Sequence, residues 1–190
     1  MLSTNLDAAA ELVRSFKQVA ADQASSQRRP FDLHETMAEI VATLRPRFKR
    51  TSFTIAIAIP AGILMESYPG PLGQVITNLV TNSLNHAFEG REQGEMTLAA
   101  RRMEEGRVIL TYRDDGVGIP PEFQERVFEP FFTTRQGRGG TGLGLHVVYN
   151  IVTNVLGGAI TLRSAVGQGA EFVMDLPLIA PNLVQERRDG

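Results

Sequence analysis

Cysteine is missing from the 190-residue chain, so disulfides and thiolate metal sites are excluded. Charge of one sign is missing too: 19 Lys and Arg stand against 21 Asp and Glu, a formal net charge of −2. That balance gives no electrostatic footprint for nucleic acid or for an anionic membrane surface. No apolar run approaches the ~20 residues that span a bilayer. The first ten residues lack both the basic start and the long apolar core of a secretory signal. The absences are compatible with a reducing, cytoplasmic setting. They leave open a membrane anchor upstream of Met1.

What is present suits one good core plus an appendage, with an ordinary hydrophobic fraction of 43%. Residues 2–24 read as a helix in which Leu2, Leu6, Ala9, Val13, Phe16 and Ala20 step by four and three. This is the seam of a coiled coil or bundle, and equally the face of an amphipathic helix packed on its own domain. Residues 25–30 form a polar break, expected to be a hinge. A second helix is expected from Asp32, with Asp32 and Glu35 at capping-box spacing and Pro46 ending or kinking it. In residues 51–59, Phe53, Ile55, Ile57 and Ile59 alternate with small or polar residues, the pattern of a half-buried strand. A helix over 72–88, opened by Pro71, comes next. Further strands are expected at 95–102, 107–113, 159–164 and 171–176, with a helix over 143–156 and a disordered tail over 181–190. Strands and helices mix without regular alternation, which predicts an α+β two-layer sandwich.

Four segments carry chemistry. On the helix over 72–88, Gln74, Asn78 and Asn82 recur every four residues, with Asn85 and His86 just beyond, while Ile76, Leu79, Val80 and Leu84 cover other faces. Amide oxygens suit a hard cation such as Mg²⁺ alongside phosphates; an ordinary polar helix surface is the alternative. Asp114-Asp115-Gly116-Val117-Gly118-Ile119-Pro120 follows a strand. A carboxylate there can accept a hydrogen bond from an exocyclic amine, and the glycines admit a flat ligand, although Asp-Gly is also turn chemistry. Phe128-Glu129-Pro130-Phe131-Phe132-Thr133-Thr134-Arg135 is too apolar for a plain linker and reads as an aromatic anchor or the hinge of a lid. Gly137-Arg138-Gly139-Gly140-Thr141-Gly142-Leu143-Gly144-Leu145 runs into a helix, where bare amides bind phosphate. Its glycines make residues 136–142 a candidate mobile lid. A dinucleotide fingerprint is excluded because no strand precedes the glycines and no acid follows about twenty residues later. P-loop and protein-kinase signatures are absent.

Taken in order, these segments resemble the GHKL superfamily of ATPases and kinases, the Bergerat nucleotide-binding fold, and within it the catalytic domain of sensor histidine kinases. Residues 74–82 resemble its N box, 114–118 its first glycine box, 128–132 its F box, 139–145 its second glycine box and 167–172 its closing turn. The resemblance spans residues 31–177. It implies a mixed, mostly antiparallel sheet covered by helices, with residues 1–30 as the end of a dimerisation helix and linker, 31–180 as the catalytic domain and 181–190 as tail.

The resemblance implies ATP and Mg²⁺. Asn82 would ligate the metal with Asn78 beside it. Asp114 would take the adenine amine. Asn85, His86, Gly116, Gly118, Ile119, Phe131, Gly139, Gly140, Thr141, Gly142, Leu143 and Gly144 would surround the nucleotide, and Arg135 or Arg138 would meet the γ-phosphate. Relatives often carry a basic residue where Asn85 stands. Hydrolysing relatives, such as DNA gyrase and the MutL-type repair proteins, place a glutamate base where Asn78 stands, so a kinase that leaves the attacking group to another domain is implied.

Among the three histidines, His34 is followed by Glu35 but lies in the catalytic domain's own first helix, and His146 follows the second glycine box. Neither is the expected phosphoacceptor. The expected partners are a histidine-bearing dimerisation domain of the parent kinase and, indirectly, a response regulator, with the fragment itself a monomer or weak dimer in the cytoplasm and the parent open to anchorage in the inner membrane. An anti-sigma-type serine kinase and a non-catalytic nucleotide-binding switch are the competing functions. Asp114→Asn is expected to weaken binding and leave the fold intact.

Overall fold

The computed structural model describes residues 27–49, 51–133 and 141–183. The heptad-patterned segment and the first two residues of the second glycine box, Gly139 and Gly140, lie outside them. Strand β1 (Arg29–Asp32) leads into helix α1 (Leu33–Phe48). Asp32 caps the helix: its Oδ1 accepts from the Glu35 amide at 3.2 Å and its Oδ2 from the Gly62 amide at 2.7 Å. These two donors hold its carboxyl below its ordinary value. Pro46 sits in the last turn, two residues before the helix stops, so it ends the helix as expected.

Strands β2 (Ser52–Ala58) and β3 (Leu64–Ser67) follow, then helix α2 (Pro69–Asn82). Helix α2 begins earlier than the sequence suggested, because prolines at its first positions arrive with helical φ already set. It continues as a π-helical turn over Ser83–Ala87. Strands β4 (Gln93–Arg102) and β5 (Arg107–Asp114) form a hairpin. The short helix α3 (Pro121–Gln124) lies between β5 and helix α4 (Gly144–Asn150), which ends in a second π turn, Ile151–Val155. Strands β6 (Ala159–Ser164) and β7 (Ala170–Pro177) close the fold.

The five-stranded sheet has the order β2-β4-β5-β7-β6, with β2 parallel to β4 and the remaining neighbours antiparallel. Register sets its faces. Leu98 lies opposite Tyr112 and Tyr112 opposite Phe172, while Leu110 lies opposite Met174. These residues are buried against Leu72, Val75, Ile76, Leu79, Val80, Val148 and Val152 of the helices. Their alternate neighbours Thr97, Thr111, Arg113 and Glu171 fall on the other face. This is the α+β two-layer sandwich, and it follows from one apolar face per strand meeting one apolar stripe per helix.

Three details differ from the sequence reading. Arg29 and Pro30, assigned to a hinge, belong to β1, which pairs antiparallel with β3 in a separate two-stranded sheet. The strand β3 was not foreseen. The first residues of the tail are tied down: Tyr68 donates to the Pro181 carbonyl at 2.9 Å and the Leu183 amide donates to the Tyr68 hydroxyl at 3.2 Å.

Candidate functional site

Helix α2, the end of β5 and the start of α4 enclose a cavity of about 860 Å³. Mononucleotides with several phosphates fall within the range that such a site holds. One wall is polar. Asn78, Asn82, Asn85 and His86 line it, as the sequence predicts, and Thr81 joins them, but Gln74 does not. Val75, Ile76, Leu79 and Val80 turn inward and are buried. The opposite end is apolar, with Val117, Ile119, Val127, Phe132 and Phe172.

Asp114 forms the floor. It is the last residue of β5 and is 3% exposed. Its Oδ1 accepts from the amides of Gly116 at 3.0 Å and Ala170 at 3.2 Å; its Oδ2 accepts from Ser83 Oγ at 2.7 Å. Ser83 in turn accepts from the Tyr112 hydroxyl at 2.8 Å. Burial raises the Asp114 carboxyl above 3.8 and outweighs the three donors, which pull it down. Burial likewise raises the Tyr112 phenol above its ordinary range. Asp114 therefore belongs to the interior as much as to the site. An amide at position 114 can set an N–H where Ser83 donates, so Asp114→Asn is expected to cost stability as well as the binding loss expected from the sequence.

The loop after Asp114 is fastened on both sides. The Val117 amide donates to the Ala87 carbonyl at 2.9 Å, and the Ile119 amide to Ser164 Oγ at 2.8 Å. Gly116 packs against the π turn so closely that a Cβ would lie 2.4 Å from the Ala87 Cβ and 2.5 Å from its carbonyl oxygen. Gly118 has φ +74, and a Cβ there would meet the Ala165 carbonyl oxygen at 2.0 Å. Gly118 and Ile119 line the cavity, whereas Gly116 lies behind it, supporting Asp114.

Beside the start of α4, Thr141, Gly142 and Gly144 line the cavity. Asn78 Nδ2 donates to the Gly144 carbonyl at 3.4 Å, and Asn82 Oδ1 lies 3.6 Å from where a Gly144 Cβ would stand. The Asn82 side chain thus stands beside Gly144 at ordinary contact distance, where a methyl group would also fit. Among the described residues no cluster of three His, Cys, Asp or Glu exists. A cation here would rest on amide oxygen and on a ligand's phosphates, a donor set that fits Mg²⁺.

Two expected site residues lie elsewhere. Leu143 is buried as the residue before α4. Phe131 is half exposed, with a left-handed φ of +66, and its backbone abuts Gly142: a Gly142 Cβ would be 2.4 Å from the Phe131 carbonyl carbon. Its neighbour Phe132 takes the lining position, its ring tilted against Phe123 and under Arg126. Arg135, Arg138, Gly139 and Gly140 lie outside the described residues, as does most of the candidate lid. His34 Nδ1 is bonded to the Ile59 carbonyl and His146 Nδ1 to that of Phe128, which gives both local structural partners. Sequence reasoning missed Ser83, Tyr112, Ala170 and Phe172. The one signal was a serine set directly beside Asn82, the last asparagine of the four-residue repeat.

Residues 68–180 match the family described as histidine kinase-, DNA gyrase B-, and HSP90-like ATPase. The chain is 46% identical over 116 residues to the sensor histidine kinase ZraS of Salmonella typhi, covering 61% of this chain and 24% of that one. It is 34% identical over 205 residues to the sensor kinase CckA of Brucella abortus, covering 98% of this chain and 20% of that one. The chain thus spans about a quarter or less of these relatives. Among solved structures, the catalytic domain of histidine kinase ThkA superposes with a TM-score of 0.70 at 26% identity, over 80% of this chain and 97% of that one. Full-length ShkA in complex with AMPPNP superposes with a TM-score of 0.67 at 30% identity, over 80% and 31%.

Proposed function

Since the chain belongs to the histidine kinase-, DNA gyrase B- and HSP90-like ATPase family, we propose that it is the ATP-binding catalytic domain of a two-component sensor histidine kinase. It transfers the γ-phosphoryl group of ATP to a histidine on a separate helical dimerisation domain of the parent protein, and a response regulator receives that group afterwards. The observation that carries this reading is a buried carboxylate, Asp114, at the floor of a cavity whose opposite wall offers Asn78 and Asn82. A carboxylate oxygen accepts the exocyclic amine of adenine. The solved relative ShkA, in complex with AMPPNP, supports a ligand of that class.

Asn82 is the proposed Mg²⁺ ligand, with Asn85 and His86 farther along the same wall. Bound Mg²⁺ would neutralise phosphate charge and align the γ-phosphoryl group. Thr141, Gly142 and Gly144 line the phosphate end, and Arg135 and Arg138, with Gly139 and Gly140, are proposed to close over it. Asn78, spent on the Gly144 carbonyl, has no basicity with which to activate water. The residues therefore position and stabilise charge, and leave the nucleophile to the partner. The proposed setting is the cytoplasmic side of a membrane-anchored parent; among the described residues no helix is long and apolar enough to cross a membrane.

Incubation with labelled Mg-ATP tests this. The chain alone should neither acquire an acid-labile, base-stable phosphoryl group nor hydrolyse ATP briskly. Adding the parent's helical domain in trans should restore histidine labelling, and Asn82→Ala should abolish it. Rapid self-labelling at His34, or brisk unassisted turnover, overturns the reading.

A further inference from the structure

Val127 and Phe132 form part of the cavity's apolar end, yet the segment that carries them is a run of turns after the short helix α3. Its internal hydrogen bonds are turn bonds: the amides of Arg126, Glu129 and Phe132 donate to the carbonyls of Phe123, Arg126 and Glu129. Such bonds set the shape of the segment. They do not set where it stands against the rest of the fold.

Helix α4 supplies that placement. His146 Nδ1 lies 3.0 Å from the Phe128 carbonyl oxygen. A carbonyl only accepts, so Nδ1 carries a proton and donates. The other ring nitrogen is engaged as well: Asn150 Nδ2 lies 3.0 Å from His146 Nε2, and Asn150 Oδ1 accepts from Asn154 Nδ2 at 3.5 Å. An amide nitrogen only donates, so Nε2 accepts, and the same tautomer is fixed from both sides. The bond falls directly behind two walls of the cavity, because Val127 precedes Phe128 and Leu145, also a lining residue, precedes His146. The Phe128 ring packs on Tyr149 and Phe172 too, with centroids 5.6 and 6.4 Å apart. Rings can turn and slide on such neighbours. An N–H···O bond weakens steeply off its axis and so fixes the peptide itself.

We propose that His146 is a positioning residue for the nucleotide site: its Nδ1–H holds the Phe128 peptide against α4, and so keeps Val127 and Phe132 in place to receive the ligand. This rests on the ATP site proposed above. Without the bond the wall drifts in the free chain, the binding-competent fraction falls, and apparent affinity falls in proportion. One hydrogen bond of ordinary net strength limits that loss to about fivefold.

Calorimetry with Mg-ATP, at a temperature where circular dichroism shows each variant folded, sets donor against bulk. His146→Leu keeps the bulk and removes the donor. His146→Asn loses the bulk but keeps an N–H at the same number of bonds from Cβ as Nδ1. The tie predicts that His146→Leu binds Mg-ATP about fivefold more weakly and that His146→Asn stays close to wild type. A role in packing alone predicts the reverse order. Wild-type affinity in His146→Leu, or an equal loss in both variants, sinks the tie and leaves the ATP site standing. A wild-type chain that does not bind Mg-ATP sinks the site and the tie together. Should His146→Leu fail to fold, the ¹⁵N spectrum of the wild-type imidazole decides: the neutral ring should carry its proton on Nδ1, and a proton on Nε2 overturns the inference.

Discussion

Asp114 is pulled two ways. Burial favours its neutral form, while Ser83, Gly116 and Ala170 favour the carboxylate, and burial wins, so its folded value lies above 3.8. A group whose value is raised on folding contributes stability at low pH, fully present below the unfolded value and lost as pH rises through the folded one. Stability from Asp114 therefore declines across that acid window, in exchange for an ionised acceptor at neutral pH. An NMR titration of the carboxyl should give a midpoint above 3.8, and Ser83→Ala should raise it further by removing a donor to the charged form. A midpoint that falls in Ser83→Ala would contradict the bonding described. Asp114 was legible in the sequence because a carboxylate before Gly-Val-Gly at a strand end is conspicuous. Ser83 and Tyr112 were not. Beyond Asn82 the helix changes to π geometry, so counting by 3.6 no longer says which side chain faces Asp114. Tyr112 fell within the strand expected over 107–113 with nothing to single it out; in the structure it lies opposite Leu98.

Elements were legible where one face is buried. Strands β5 and β7 alternate strictly in burial, and β4 does so over its first six residues. Strands β1 and β3 were illegible because each is only four residues long, β1 with a proline and two charges besides, and what makes them strands is mutual pairing across the intervening helix and strand. The two π turns were illegible because an extra backbone residue leaves no compositional mark. The π turn after α2 nevertheless has a sharp consequence. Its Ala87 sits against Gly116, with backbone rather than a flexible side chain in the way of any Cβ. Gly116→Ala must therefore push the strand-end loop off the turn. The expected cost is about 1–3 kcal/mol in denaturant unfolding, as for other overpacking. Nucleotide affinity should fall with it, since the Gly116 amide holds Asp114. An Ala variant of wild-type stability would mean that this contact is loose.

At the scale of the molecule, the sandwich puts the helices on one face of the sheet and the cavity where α2, β5 and α4 meet. The order of the motifs revealed that architecture, because each motif falls at an element's end: the asparagines along α2, Asp114 at the end of β5, the glycines at the start of α4. The sequence left the small β1–β3 sheet and the anchored Pro181 unannounced, since both depend on contacts between distant segments. The close approach of Phe131 and Gly142 has a further effect on chain statistics. The two ends of the intervening segment are held side by side by described, well-packed backbone, so the cost of closing that loop is met by the anchors and not by its contents. Lengthening it should then be nearly free. A Gly-Ser insert that doubles the segment is expected to change the unfolding free energy by only about 0.6 kcal/mol, the logarithmic penalty of a longer closed loop. Nucleotide affinity should drop much more, because Arg135 and Arg138, proposed to close over the phosphates, would spend less time there on a longer tether. In evolutionary terms, the segment between these two anchors is where the domain can change length without endangering its fold.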